Sequence, residues 1–396
     1  MMRMNKTIAT ASIAFTLSIG IFTTTNLASE EVLNVRIAYL GFEADKGPLI
    51  SNSFPEPDDS GLKGAEVAIR DNNTTGRFLK QKYILEALHS DDSDELLDFA
   101  QQLHQDGVRF FVANLPSAQL SALYQVTGDD AIIFNAGSKD DRLRVEQCIP
   151  GVLHTIPSRA MLADALGQWL AARRWTNWLL VTGQTDDDKA YAAAVRRAAE
   201  RFGGRIIDEK FWSFDTDLRR TAQQELPSFT RARDYDVVIV ADERGDFGEF
   251  LLFNTWLPRP VAGTQGLTPT GWHKAVEAWG AAQLHSRFER HADRWMNELD
   301  YASWAGVRSL GEAITIIKTD ELEAVRSFIL SDEFQLAGFK GRRLEFRGWS
   351  GQLKQPIPLI HPRALVSQSP QEGFLHPVTD LDTLGFDSPE SQCRVK

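Results

Sequence analysis

Cysteine is almost missing from this chain: Cys148 and Cys393 are its only two. Two thiols cannot build a four-cysteine metal site, and they admit a single intramolecular pairing. An oxidising compartment is expected to close that bond, the alternative being two buried free thiols. Signature catalytic loops are missing too. There is no G-x-S-x-G elbow, no Walker phosphate loop and no G-x-G-x-x-G turn, which removes the usual grounds for a hydrolase, a nucleotide triphosphatase or a dinucleotide enzyme. A basic surface is lacking: 43 Lys and Arg stand against 54 Asp and Glu, for a formal charge of −11, so nucleic acid is not an expected partner. Beyond the first thirty residues no apolar run approaches the eighteen or so residues of a membrane helix, so the chain is not expected to be membrane-embedded. His285 and His291 lie six apart, off the i, i+4 spacing of a helical zinc pair, and read as surface residues.

What is present begins with a leader. Arg3 and Lys6 precede the acid-free apolar stretch Ile8–Phe22, and TNLASE offers a small-residue cleavage point after Ala28. Residues 1–28 therefore read as a secretory signal peptide. No Cys follows the cleavage point, which favours a free periplasmic protein over a lipoprotein. The remainder exceeds one comfortable hydrophobic core, so two domains are expected.

Strand and helix patterns alternate along it. VRIAYLG (Val35–Gly41), ILEALHSDD (Ile84–Asp92), Arg109–Ala113 and Ala131–Phe134 read as strands separated by helices, with Val152–Pro157 as an extended connection. A second series follows, with strands at Trp178–Gly183, Arg205–Trp212, Asp236–Asp242 and Arg259–Gly263, and helices at Ser158–Arg173, Asp186–Phe202, about Leu218–Leu226 and from Asp246. This is the grammar of parallel βαβ units, read as two doubly wound α/β lobes in succession. Helices are expected at Trp272–Trp279, Arg287–Leu299, Tyr301–Ile317 and Asp320–Leu330, then a hairpin-like pair at Gly341–Arg347 and Gly351–Ile360. The tail from Pro362 has low periodicity and is expected to dock on a lobe.

Two of the strands run out into small polar loops, Asn114–Ser117 and Asn135–Ser138. In open parallel sheets, ligands sit beyond the carboxyl ends of the strands, where helix N-termini offer free N–H groups. Ser117 could instead simply cap its helix and Ser138 serve a turn. The acids Asp186–Asp188, and Asp91, Asp92 and Asp94, open helices, where they suit the dipole, and lack the spacing of a calcium loop; no metal or cofactor is expected. The tryptophans Trp256, Trp272, Trp279, Trp295 and Trp304 read mainly as packing residues.

The order VRIAYLG, DGVRFFVANLPS, AIIFNAGS, HTIPS, WLLVTG, FGGRI and DYDVVIVAD resembles the type I periplasmic binding proteins of the branched-chain amino acid class. Within that class, MLADALGQWL, RPVAGTQGL, FKGRRLEFRGWSGQLKQPI, SPQEGF and LDTLGFDSPESQC look like the substrate-binding component found with pyrroloquinoline-quinone (PQQ)-dependent alcohol oxidation systems. The resemblance implies two Rossmann-like lobes joined by a three-strand hinge: residues 29–157 with about 290–348, and 158–289 with about 349–396. It implies ligand contacts from the loops of Asn114, Ser117, Asn135 and Ser138, and an acid from the opposite lobe at Asp246, whose other reading is a helix cap. The family's aromatic at the start of the second lobe's first helix has no counterpart in Asp186–Asp188, which puts an amino-acid ligand in doubt and suits a hydroxylated or cationic one. The implied protein is non-catalytic, monomeric and periplasmic, and hands a small molecule to ABC permease subunits. A non-transporting sensor or scaffold that binds the periplasmic dehydrogenase is the alternative, suggested by the long acidic tail.

Overall fold

The computed structural model describes residues 32–43, 56–213 and 218–394. The expected leader and most of the Pro-rich loop before Ser60 lie outside them. The first sheet contains β1 (Leu33–Phe42), β2 (Gln81–Ser90), β3 (Phe110–Asn114), β4 (Ile132–Asn135) and β5 (Val152–His154), all parallel, in spatial order β2-β1-β3-β4-β5. Apolar side chains fill successive positions of β3 and β4 because helices cover both faces. One face carries α1 (Leu62–Leu79), the other α2 (Ser93–Gln105) and α3 (Ser117–Thr127).

The second sheet repeats the plan. Between Ser158, whose hydroxyl caps it, and Arg173 runs α4 (Arg159–Ala172). Then come β6 (Asn177–Thr182), α5 (Asp186–Phe202), β7 (Arg205–Phe211), α6 (Leu218–Phe229), β8 (Val237–Ala241), α7 (Gly248–Leu251) and β9 (Val261–Gly263). The parallel order is β7-β6-β8-β9, with α4 and α5 packed on one face and α6 and α7 on the other. α5 matches its expected span because both ends are signalled. Thr185 and Asp188 form a capping box, and Gly203, at φ 76°, ends the helix in the left-handed region.

After β10 (Thr268–Pro269) the structure departs from expectation. No helix forms over Trp272–Trp279: Trp272 turns into the first lobe's core and stacks on Tyr301 at 4.4 Å, while Trp279 and Gly280 take left-handed φ values of 55° and 85°. α8 (Ala281–Ala292) starts earlier than expected and is stopped by Asp293 at φ 55°; Asn297 then caps α9 (Glu298–Ile317), followed by α10 (Leu322–Ile329). His285 is buried, not on the surface, and its Nε2 contacts the Val276 carbonyl at 3.1 Å. Leu284 and Phe288 of α8, with much of α9 and α10, join α1 on the first sheet. β11 (Leu336–Ala337), β12 (Arg343–Phe346) and β13 (Leu353–Lys354) form a small antiparallel sheet. β14 (Ile357–His361) leaves it to pair with β10 and β15 (Ala364–Ser369). The expected hairpin is thus divided between two sheets.

Core membership follows the chain from lobe to lobe. Ile156, Trp272 and Leu353 pack in the first core; Met161, Leu267 and Ile357 pack with the second. The chain thus changes core between Ile156 and Met161, between Leu267 and Trp272, and between Leu353 and Ile357. One buried side chain gathers all three crossings: the Lys340 ammonium donates to the carbonyls of Gly271 and Pro356 and to Gln355 Oε1, while Gln355 Nε2 donates to the Thr155 carbonyl at 2.8 Å. Burial pushes the Lys340 amine down to about 7.

Candidate ligand crevice

The chain leaves the carboxyl ends of β5 and β9 to pass between the cores, so the loops after β3, β4, β6 and β8 are the candidates for a ligand site. The first two approach closely. Gly137 is required there, since a Cβ would stand 2.5 Å from Asn114 Oδ1 and 2.8 Å from the Leu115 nitrogen. Asn114 itself donates from Nδ2 to the Ser60 carbonyl at 3.4 Å. Ser117 does not cap α3. It is the first helical residue after Pro116, and its hydroxyl lies 2.9 Å from that of Ser138 and donates to Asp140 Oδ2 at 3.0 Å. Asn135 is fully buried and fully used: Oδ1 accepts from the Gly137 and Ser138 N–H groups, and Nδ2 donates to the Ser138 carbonyl and faces His154 Nδ1 at 2.9 Å. Its side chain shapes the loop and leaves no group free for a ligand.

Asp140 was not singled out by sequence, because nothing marks it off from Asp141. Burial pushes its carboxyl up, but the Arg142 side chain and N–H and the Ser117 hydroxyl outweigh this and hold it below its ordinary value. A fixed negative charge therefore stands on the paired hydroxyls. Asp141 is turned away, accepting from the Ala160 N–H at 2.9 Å, and burial raises its pKa. Arg144 is buried and spreads its donors over the Ser138, Asp140 and Ile156 carbonyls and Gln352 Oε1, which ties this loop to the crossings.

The second lobe supplies a denser set. Asp242, at the end of β8, accepts from the N–H groups of Gly245, Asp246, Phe247 and Gly248. It therefore does the capping that Asp246 was a candidate for. Asp246 Oδ1 has no hydrogen-bond partner, although Arg244 Nε lies 3.2 Å away. Burial raises the Asp246 pKa, with Asp242 and Asp188 adding to it against Arg244. The three acids at the start of α5 have separate tasks. Asp186 pairs with Lys189, Asp187 with Arg159, and Asp188 accepts from Thr185 and the Glu243 N–H. Arg159, with its side chain 8% exposed, also grips Glu243 through two bonds of 2.8 and 2.7 Å.

Tyr191 was missed because it sits at core spacing on the apolar face of α5 with Val195 and Ala198. It is 2% exposed, and its hydroxyl has no hydrogen-bond partner among the described groups. Burial raises its pKa, as do Glu243 of its own lobe and Glu298 from the start of α9 in the other. Glu298 pairs with Lys139 at 2.5 Å and accepts from the Gly271 N–H. Lys139 feels Glu243 and Arg159 as well. Glu243 of one lobe and Glu298 of the other thus both act on one buried, unpartnered hydroxyl.

Two parallel sheets of the same winding, with the chain passing between their cores three times, decide the architecture. A periplasmic binding protein family model matches residues 55–251. A branched-chain amino acid ABC transporter periplasmic ligand-binding protein from Burkholderia xenovorans superposes with a TM-score of 0.71 at 16% identity, over 91% of this chain and 100% of its own. The fold is that of a type I periplasmic binding protein. A leucine-, isoleucine-, valine-, threonine- and alanine-binding protein from Brucella ovis gives 0.63 at 13% identity, over 89% and 94% of the two chains. A solute-binding protein of an ABC transporter from R. palustris, solved with benzoate, gives 0.63 at 12% identity, over 86% and 98%. No curated protein matches this chain. Among the described residues, no helix of this binding-protein fold is long and apolar enough to cross a membrane.

Proposed function

We propose that this chain is the periplasmic solute-binding component of an ABC importer and that its solute is neutral or cationic. The ligand would lie between the Ser117–Ser138 loops and the Tyr191, Glu243 and Asp246 side of the second lobe. Closure of the lobes would be selected only to the extent that the solute contacts both. Asp140 carries the choice of solute class. Two of the structural neighbours are described with carboxylates, leucine-type amino acids in one and benzoate in another. Here the protein's own carboxylate engages the hydroxyl pair. A ligand carboxylate would meet a like charge, which costs binding in a partly dehydrated site. A hydroxyl, amide or ammonium would not. An alcohol or aldehyde linked to PQQ-dependent oxidation fits this class, on the resemblance of the five sequence segments. The scaffold alternative loses its motive, since the acids of the tail pair within the chain: Asp382 with Arg347, Glu390 with Arg197.

Calorimetric titration with matched pairs, benzyl alcohol against benzoate and leucinol against leucine, tests the reading. The wild type should prefer the uncharged or cationic member, and Asp140→Asn should narrow the gap at least tenfold. Preference for the acids in the wild type would refute the solute class. No binding of any alcohol, amine or acid across a broader panel would refute the solute-binding function itself.

A further inference from the structure

The C-terminal tail crosses between the lobes a fourth time, outside the three hinge segments. Its first anchors are Arg347, which follows β12, and the second lobe. Arg347, buried, donates to Asp382 and to the Leu384 carbonyl, at 2.9 and 2.7 Å. Leu384 enters the core built by α4 and α5, and the Gly385 N–H donates to the buried carboxylate of Asp164 at 2.9 Å. The Gly385 carbonyl accepts from Arg197 and Arg201 of α5, which also pair with Asp164. Gly385 is needed at φ 82°, where a Cβ would stand 2.8 Å from Met161 Cγ. Phe386 lies under the Arg197 guanidinium at 4.1 Å, and Glu390 pairs with the same arginine at 3.0 Å.

One residue later the chain is on the other lobe. Ser391 Oγ donates to the Arg144 carbonyl and the Gln392 N–H to the Val145 carbonyl, both at 2.8 Å. Cys393 is disulfide-bonded to Cys148, in the segment whose neighbours Leu143 and Ile149 belong to the first lobe's core. A hinge that opens must change the separation of Glu390 from Ser391's partners, yet no slack separates them. The receiving residue, Arg144, also holds the Ser138 and Asp140 carbonyls.

We propose that the tail from Leu381 to Cys393 is a covalently closed strap that limits lobe opening and thereby slows solute exchange. The restraint on opening rests on the tail's contacts alone; only the exchange-rate part rests on the solute-binding reading. Two perturbations release its Ser391–Cys393 end from the first lobe while leaving the Arg347 and Asp164 anchors in place: truncation after Glu390, and reduction of the folded protein with dithiothreitol, which is oxidised to its cyclic disulfide as Cys148 and Cys393 become thiols. Small-angle scattering of ligand-free protein should show a larger radius of gyration in both forms than in the intact one, with the helical circular dichroism unchanged. Release of benzyl alcohol or leucinol should quicken severalfold. Superimposable scattering of all three forms overturns the strap, as does expansion seen only with loss of helical signal. Expansion with unchanged solute release keeps the restraint and overturns its role in exchange; absence of any bound solute overturns the binding reading while the scattering still decides the strap.

Discussion

Removing the hydroxyl of Tyr191 should move stability and affinity in opposite directions. This hydroxyl is buried, lacks a hydrogen-bond partner among the described groups, and lies where Glu243 and Glu298 both disfavour its ionisation. Burying such a group without a partner costs about 1–3 kcal/mol relative to leaving it in water. Tyr191→Phe avoids most of that cost and leaves a gap of only one oxygen, so unfolding in urea should require about 1 kcal/mol more, with the midpoint raised and the slope unchanged. If a solute completes the hydroxyl's hydrogen bonding, the same variant should bind it about 1–2 kcal/mol more weakly, roughly five- to thirtyfold in Kd. Chemical denaturation and calorimetric titration on one preparation read both numbers. A variant destabilised by 1 kcal/mol or more with unchanged affinity would refute the argument, because the hydroxyl would then be a structural bond and not a recognition group.

Arg159→Met should destabilise the fold by about 2–4 kcal/mol in urea unfolding, because it strands the partly buried Glu243, and Arg159→Lys should recover only part of this, since an ammonium lacks the fork that reaches Glu243 and Asp187 together; equal stability of all three would refute the pairing. His154 is held neutral by burial and by Arg144, far below its ordinary pKa, whereas the unfolded chain protonates near 6.5. The unfolded state then binds the extra proton, so stability should fall as pH drops below about 6.5, by up to ~1.4 kcal/mol per pH unit from this group, and His154→Asn should flatten that slope. Thiol titration of denatured, unreduced protein should find no free thiol, as the Cys148–Cys393 bond requires.

The parts of the fold that could be read from sequence are those where local and global preferences agree. Parallel strands such as β3 and β8 are unbroken apolar runs because both faces are covered. α5 was readable to the residue because Thr185, Asp188 and Gly203 signal its ends. The stretch from Trp272 to Trp279 has helical spacing but no helix, because tertiary stacking of Trp272 on Tyr301 outweighs the local preference. The crevice divides in the same way. Ser117 and Ser138 could be placed together from strand order alone, since β3 and β4 are neighbours. Glu298, Arg159 and Tyr191 could not be added to the candidate site, because each stands on a helix whose own pattern speaks only of capping or core. For Asp246 the alternatives were binding and capping, and only the four N–H groups gathered by Asp242 removed the second.

The charges of the crevice are already matched to one another before any ligand is considered. Lys139 faces Glu298, Arg159 faces Glu243 and Asp187, and Arg142 faces Asp140. A zwitterion entering such a site would bring two charges whose protein partners are engaged at 2.5 to 2.7 Å, so each new ion pair must break an existing one. The exchange gains little Coulomb energy while the ligand still loses its hydration. A neutral solute avoids that exchange and needs only hydrogen-bonding groups not yet committed. The Tyr191 hydroxyl is such a group, able both to donate and to accept, and a small hydroxylated molecule would offer the complement.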